Sequence, residues 1–176
     1  MARINLNPQN PKQQKRFKTH NYSNEDSVSN LARYVLNEEK TPSNYKNFYG
    51  VPNASPECIE KSFATIAAIH QKDMHQRRKA EHFVLSFDAK DELTELGGIE
   101  NALKIINEYC KPLADNHQVF CAVHEDQKHL HAHIVLNPIN YHNGKRLQKN
   151  RTFLDNQRKT VDSLVEKYKN ETINKE

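Results

Sequence analysis

Apolar positions recur along this chain with two different periods. Residues 25–38 place Val28, Leu31, Val35 and Leu36 at helical spacing, the rhythm of a helix that buries one stripe. Ser55-Pro56-Glu57 reads as an N-cap followed by proline at the first helical position, where a missing N–H costs nothing. It opens a long helix running through residues 59–74. Residues 99–113 carry Ile99, Leu103, Ile106 and Leu113 as a stripe after the breaker Gly97-Gly98. Residues 153–170 form a charged helix that turns Phe153, Val161, Leu164 and Val165 inward. Strands are predicted at 82–87, a short apolar and aromatic run, and at 118–124 and 130–139, which alternate with period two. The last ends near an Asn143-Gly144 turn, and a further strand is expected within residues 2–6.

The order strand, helix, helix, strand, helix, strand, strand, helix predicts an α+β fold. It has a central antiparallel β-sheet with helices packed on one face. Strands 118–124 and 130–139 are expected to pair as a hairpin, and the strand–helix–strand run from 82 to 124 forms a split βαβ unit. A length of 176 residues fits a single domain over 1–176, with a basic N-terminal segment 1–20 and a charged C-terminal helix over 153–176.

Composition narrows the classes. Hydrophobic residues are 36% and charged residues 27%, which argues against wholesale disorder. No stretch approaches the roughly 18 apolar residues of a membrane span, and the first residues lack the apolar core of a signal peptide. Cys58, Cys110 and Cys121 are odd in number and widely spaced, so a disulfide framework or zinc ribbon is not expected and a reducing cytoplasm fits. Net charge is +4, and its distribution says more than its size. Residues 1–20 hold Arg3, Lys12, Lys15, Arg16 and Lys18 with no acid; residues 142–160 hold Lys145, Arg146, Lys149, Arg151, Arg158 and Lys159 against Asp155 alone. Two such segments either converge on a groove for a polyanion or form two solvated faces.

Histidine is the unusual count: ten in all, with five crowded into residues 117–133. Side chains alternate faces along a strand, so His129, His131 and His133 point one way, while Leu130, Ala132, Ile134 and Leu136 point toward a core. In the preceding strand Phe120, Ala122 and His124 share a face, and a hairpin brings His124 beside His131 or His133. Three neutral imidazoles facing one point make a metal site, since clustered imidazolium ions would repel. Zn, Mn, Fe, Co, Ni and Cu all accept such ligands. Open coordination positions are what catalysis needs. Asp126 is placed to accept the other ring N–H of one histidine, and His129 stands at the rim.

The pattern H-x-D-x(4)-H-x-H-I-V-x-N, here His124, Asp126, His131, His133 and Asn137, resembles the histidine motif of conjugative relaxases. These are the mobilisation nucleases of the HUH endonuclease superfamily, and the likeness is to tyrosine relaxases of the MOB-P type. Leu31-Ala32-Arg33-Tyr34-Val35 through Lys40-Thr41 resembles that family's first motif, a tyrosine on an apolar helix followed by Lys-Thr. The segment His82–Phe87 looks like the strand between the two motifs. Many such relaxases carry a small hydroxyl residue on the second helix, where this chain reads Asp73-Met74-His75-Gln76-Arg77-Arg78.

The resemblance implies a ferredoxin- or RRM-like palm and a site-specific, strand-specific DNA nicking and strand-transfer reaction at a transfer origin. Tyr34 matches the nucleophile, which would form a 5′-phosphotyrosine; Tyr22 is its rival. A tyrosine hydroxyl ordinarily titrates near pH ~10, so attack needs a proton acceptor or a nearby cation, and Asp126 is the expected helper. His124, His131 and His133 would hold a divalent metal, Mg or Mn, on the scissile phosphate. DNA contacts are expected from Arg3, Lys40, Thr41, Asn137, Arg146, Lys149 and Arg151. The implied partners are single-stranded DNA at the nick site, an adjacent duplex or hairpin, and conjugation accessory and coupling proteins, in a bacterial cytoplasm without membrane insertion. Three alternatives stay open. One is a rolling-circle replication initiator of the same superfamily, with its tyrosine downstream at Tyr141 or Tyr168. The others are a DNA-binding module that kept the fold and lost catalysis, and a metal-dependent hydrolase unrelated to DNA.

Overall fold

Among the described residues five strands form one sheet in which every neighbouring pair runs antiparallel. The computed structural model describes residues 3–5, 27–41, 45–51, 55–75, 77–87, 90–124 and 130–174. The strands are β1 (Arg3–Asn5), β2 (Lys46–Tyr49), β3 (Glu81–Ser86), β4 (Val119–His124) and β5 (His131–Leu136), in the order β1-β3-β5-β4-β2. The helices are α1 (Ser27–Val35), α2 (Pro56–Ile69), α3 (Lys90–Glu95), α4 (Ile99–Ala114) and α5 (Arg151–Ile173). β5 lies between β3 and β4, so those two run parallel, and the chain between them makes the expected split βαβ unit. The α+β class and the β4–β5 hairpin are as the sequence predicts.

The helices, however, cover both faces rather than one. On one face Phe83, Leu85, Val119, Cys121, Val123, Ala132, Ile134 and Leu136 pack against α4 and α5. On the other, Phe120, Ala122 and Val135 meet Val28, Leu31, Ala32 and Val35 of α1 and Ile59 and Phe63 of α2. All six residues of β4 are buried. Leaving Phe120 or Val135 in water would cost about 1.5–3 kcal/mol each, so the second face needs its own helices.

Local departures have local reasons. α2 stops at Ile69, short of the expected 74, because Gln71 takes a left-handed φ of 51°. There the Lys72 N–H reaches the Ala67 carbonyl and the Gln71 N–H the Ala68 carbonyl, which closes the helix end. In α4 the buried positions are Ala102, Ile105, Ile106, Tyr109 and Cys110, so the stripe is rotated from the one predicted; Ile99, Leu103 and Leu113 pack at its margin. The edge strand β2 and the short helix α3 have too few residues to show a period, and the sequence pattern does not announce them. α5 starts at Arg151, where the Asn150 side chain accepts a hydrogen bond from the Phe153 N–H at 2.9 Å.

Candidate active site

The register of the central hairpin builds the histidine cluster. His124 of β4 stands directly opposite His131 of β5, and Ala122 opposite His133. The three imidazoles therefore share one face. Ring centroids lie 4.3 Å apart for His124 and His133, 5.0 Å for His131 and His133, and 5.4 Å for His124 and His131. One ring nitrogen from each can be chosen so that all three fall within 4.8 Å of one another. His124 and His133 are buried, while His131 is partly exposed, so the cluster has a protein side and an open side.

His133 carries the clearest chemical information. Its Nε2 is buried and has no hydrogen-bond partner among the described residues, a condition buried polar atoms rarely tolerate. Burial first, and then the charges of His82, His124, His131 and Lys40, push its pKa down to about 2. A neutral imidazole with an unmatched buried nitrogen, facing two more imidazoles, is a donor set suited to a transition metal.

α1 delivers its last turn onto this cluster. The Val35 carbonyl, left over at the helix end, accepts from His124 Nε2 at 2.8 Å and from the Thr41 hydroxyl at 3.3 Å. A proton on Nε2 of His124 puts that ring's lone pair on Nδ1. The same anchoring sets Tyr34, one residue earlier. Its ring meets His133 edge-on at 5.3 Å and His124 at 5.8 Å, and it is 50% exposed. Lys40 lies close enough to His133 for its charge to bear on that ring. Arg33 pairs with Glu57 across to α2, which braces the helix from its outer side.

Not every expected site residue comes to this place. Thr41 is buried against Val35. Asn137 is wholly buried; its amide donates to Gln118 Oε1 at 3.0 Å and the Phe63 carbonyl at 3.2 Å, and accepts from the Ile139 N–H at 3.0 Å. Lys149 is paired with the buried Glu81 at 2.6 Å, and Glu81 also takes Arg78 at 3.0 Å. Arg146 donates to the Arg78 carbonyl at 2.8 Å. Arg151 is exposed at the start of α5, 3.8 Å from Asp155. Arg3 lies on the edge strand β1 opposite Ser86. Asp126, His129 and Tyr22 lie outside the described residues. The two downstream tyrosines are turned elsewhere: the Tyr141 hydroxyl donates to the Ala114 carbonyl at 2.8 Å, and that of Tyr168 to Glu108 at 2.7 Å.

One residue of the cluster escaped the sequence pattern. His82, on β3, places Nε2 2.9 Å from Nδ1 of His133. Only the alignment of β3 with β5, which sets Val84 opposite His133 and His82 opposite Val135, reveals it. The signal available in the sequence was a lone histidine at the start of an apolar strand, which has no spacing to the others.

The chain matches the family model of the MobA/VirD2-like relaxase nuclease domain over residues 34–170, from Tyr34 through all three clustered histidines. Among curated proteins it is similar to Protein rlx of Staphylococcus aureus, 34% identical over 61 residues that make up 35% of this chain and 19% of that protein. The matched part thus spans about a fifth of that relative's length. With the family match covering most of the chain and the histidine hairpin inside it, this protein belongs to the MobA/VirD2-like relaxases, as their nuclease domain.

Proposed function

We propose that the chain nicks one DNA strand at a transfer origin by attack of Tyr34. The observation that carries this reading is the contact of an exposed tyrosine with two of the three clustered histidines, at 5.3 and 5.8 Å between ring centroids. In the step, Tyr34 Oη bonds to phosphorus and the bond from phosphorus to the 3′-oxygen breaks. The phenolic proton passes to a base, with Asp126 as our candidate, and the departing 3′-oxygen gains a proton. The products are a 5′-phosphotyrosine and a free 3′-hydroxyl. The covalent link keeps the exchange near balance, so the reverse attack rejoins the strand.

His124, His131 and His133 would hold a divalent metal, and when bound it would supply charge stabilisation to the scissile phosphate. Three imidazole donors suit Mn better than Mg, which prefers an all-oxygen shell. The partly exposed His131 marks the side from which a phosphate can enter. Single-stranded or extruded DNA is the fitting substrate, because a phosphodiester inside an intact duplex cannot reach a recessed cluster. Lys40 beside His133, with Arg3 and Arg151, supplies backbone contacts, and affinity falls as salt rises. Arg146 and Lys149 contribute the charge that Glu81 leaves over. Thr41 and Asn137, bonded inward, act as framework.

The test is a covalent-adduct assay. The protein is incubated with a pool of single-stranded oligonucleotides, including candidate origin sequences, and Mn or Mg, then run under denaturing conditions. An adduct lost in Tyr34→Phe and with chelator supports the reading. An adduct that survives Tyr34→Phe moves the nucleophile to Tyr22 or a downstream tyrosine and favours a rolling-circle initiator. Metal binding without any adduct on a matched substrate favours a non-catalytic DNA-binding module or an unrelated hydrolase.

A further inference from the structure

We infer that His82 is a positioning residue which sets the tautomer of His133 and so aims its Nε2 lone pair into the histidine cluster. The inference rests on the proposed metal role of that cluster for its purpose, but not for its geometry. Nε2 of His82 and Nδ1 of His133 are 2.9 Å apart, with the rings tilted 31° and their centroids 5.1 Å apart. One proton lies between the two nitrogens, and its owner decides the chemistry. If His82 donates, then His133 carries its own proton on Nε2, a buried N–H with no acceptor among the described residues. Orphaned buried N–H groups are the rarest kind, and a protonated nitrogen has no lone pair for a ligand. If His133 donates from Nδ1, its Nε2 carries the lone pair and is the nitrogen left to join His124 and His131 in one ligand set, and the unmatched atom has a purpose.

Metal-binding histidines usually give their second N–H to a carboxylate, a backbone carbonyl or water. Here an imidazole on the neighbouring strand takes that place. His82 is partly exposed, and His133 is buried, with 4% exposure. The pair therefore also locks the orientation of the buried His133 ring. The backbone pairing of β3 with β5 holds the two rings in register.

The experiment uses the whole chain, first without metal. Nitrogen-15 correlation spectra of the histidine rings report the tautomer directly. In the wild-type protein His133 is expected to show a protonated Nδ1 and an unprotonated Nε2. His82→Phe, which keeps the ring volume, should turn that pattern into a mixture, and His82→Gln, whose amide oxygen reaches the same place, should restore it. Mn affinity measured by calorimetry should fall about 10–100-fold in His82→Phe and recover in His82→Gln. Circular dichroism confirms that each variant is folded. An unchanged His133 tautomer with unchanged Mn affinity in folded His82→Phe overturns the inference. Total loss of Mn binding, equal to that of His133→Ala, also overturns it, because His82 would then be a ligand. If the wild type binds no Mn yet its His133 tautomer depends on His82, the positioning stands and the metal reading fails.

Discussion

Asn137 belongs to the motif whose histidines form the cluster, yet its amide is wholly buried and bonded inward, and replacing it by alanine separates a framework role from a DNA contact. The wholly buried amide serves three partners. The Phe63 carbonyl keeps its place in the ladder of α2. Two groups are orphaned, Gln118 Oε1 and the Ile139 N–H. Leaving a buried polar group unmatched costs about 1–3 kcal/mol, so Asn137→Ala should destabilise by about 3 kcal/mol, with a small cavity adding to it. For a chain of this size that lowers Tm by roughly 6–12 °C. The assay pairs thermal and urea unfolding with binding of a short single strand at several salt concentrations, well below the new midpoint. A framework residue leaves both the affinity and the salt slope unchanged. A variant whose Tm stays within about 2 °C of wild type, but whose DNA binding is weakened, would refute the reasoning and make Asn137 a DNA contact.

The other expectations are simpler. Tyr34→Phe should abolish the covalent adduct while leaving the unfolding midpoint nearly unchanged, because the side chain is 50% exposed; calorimetry should still find metal bound. His124→Ala and His131→Ala should both lose metal affinity by titration. The first should also lower stability, by about 0.5–1.5 kcal/mol, since it removes the imidazole hydrogen bond from the Val35 carbonyl, which keeps the Thr41 hydroxyl. In the metal-free protein, stability should fall as pH drops below about 6.5. His117 and His133 are held below the ordinary histidine value, in both cases chiefly by burial. The unfolded chain then binds protons that the folded chain refuses. Between the ordinary histidine value and its own lowered folded value each group contributes a slope of at most about 1.4 kcal/mol per unit, measurable as the urea midpoint at pH 7.5 against 5.5.

Much of the site was legible before any fold was known. Strand alternation alone puts His131 and His133 on one face and Ala132 and Ile134 on the other, because a pleated backbone admits no other arrangement. The short link to the preceding strand then makes an antiparallel hairpin, which brings His124 alongside. Helix periodicity likewise marked Val28, Leu31 and Val35 as a buried stripe, which leaves Tyr34 on the margin of that helix. These are local properties with a fixed period, and a sequence carries them openly.

What the tertiary structure alone decided are contacts between segments distant in the chain. That His82 meets His133 depends on β3 lying beside β5, 51 residues away, at one register. That Tyr34 reaches the cluster depends on the Val35 carbonyl docking on His124 across 89 residues. The second helical layer, the rotated stripe of α4, and the inward bonds of Asn137 and Lys149 are of the same kind. Each is settled by which buried polar groups and apolar faces must be matched at once, a condition on the whole fold that no single stretch of sequence contains.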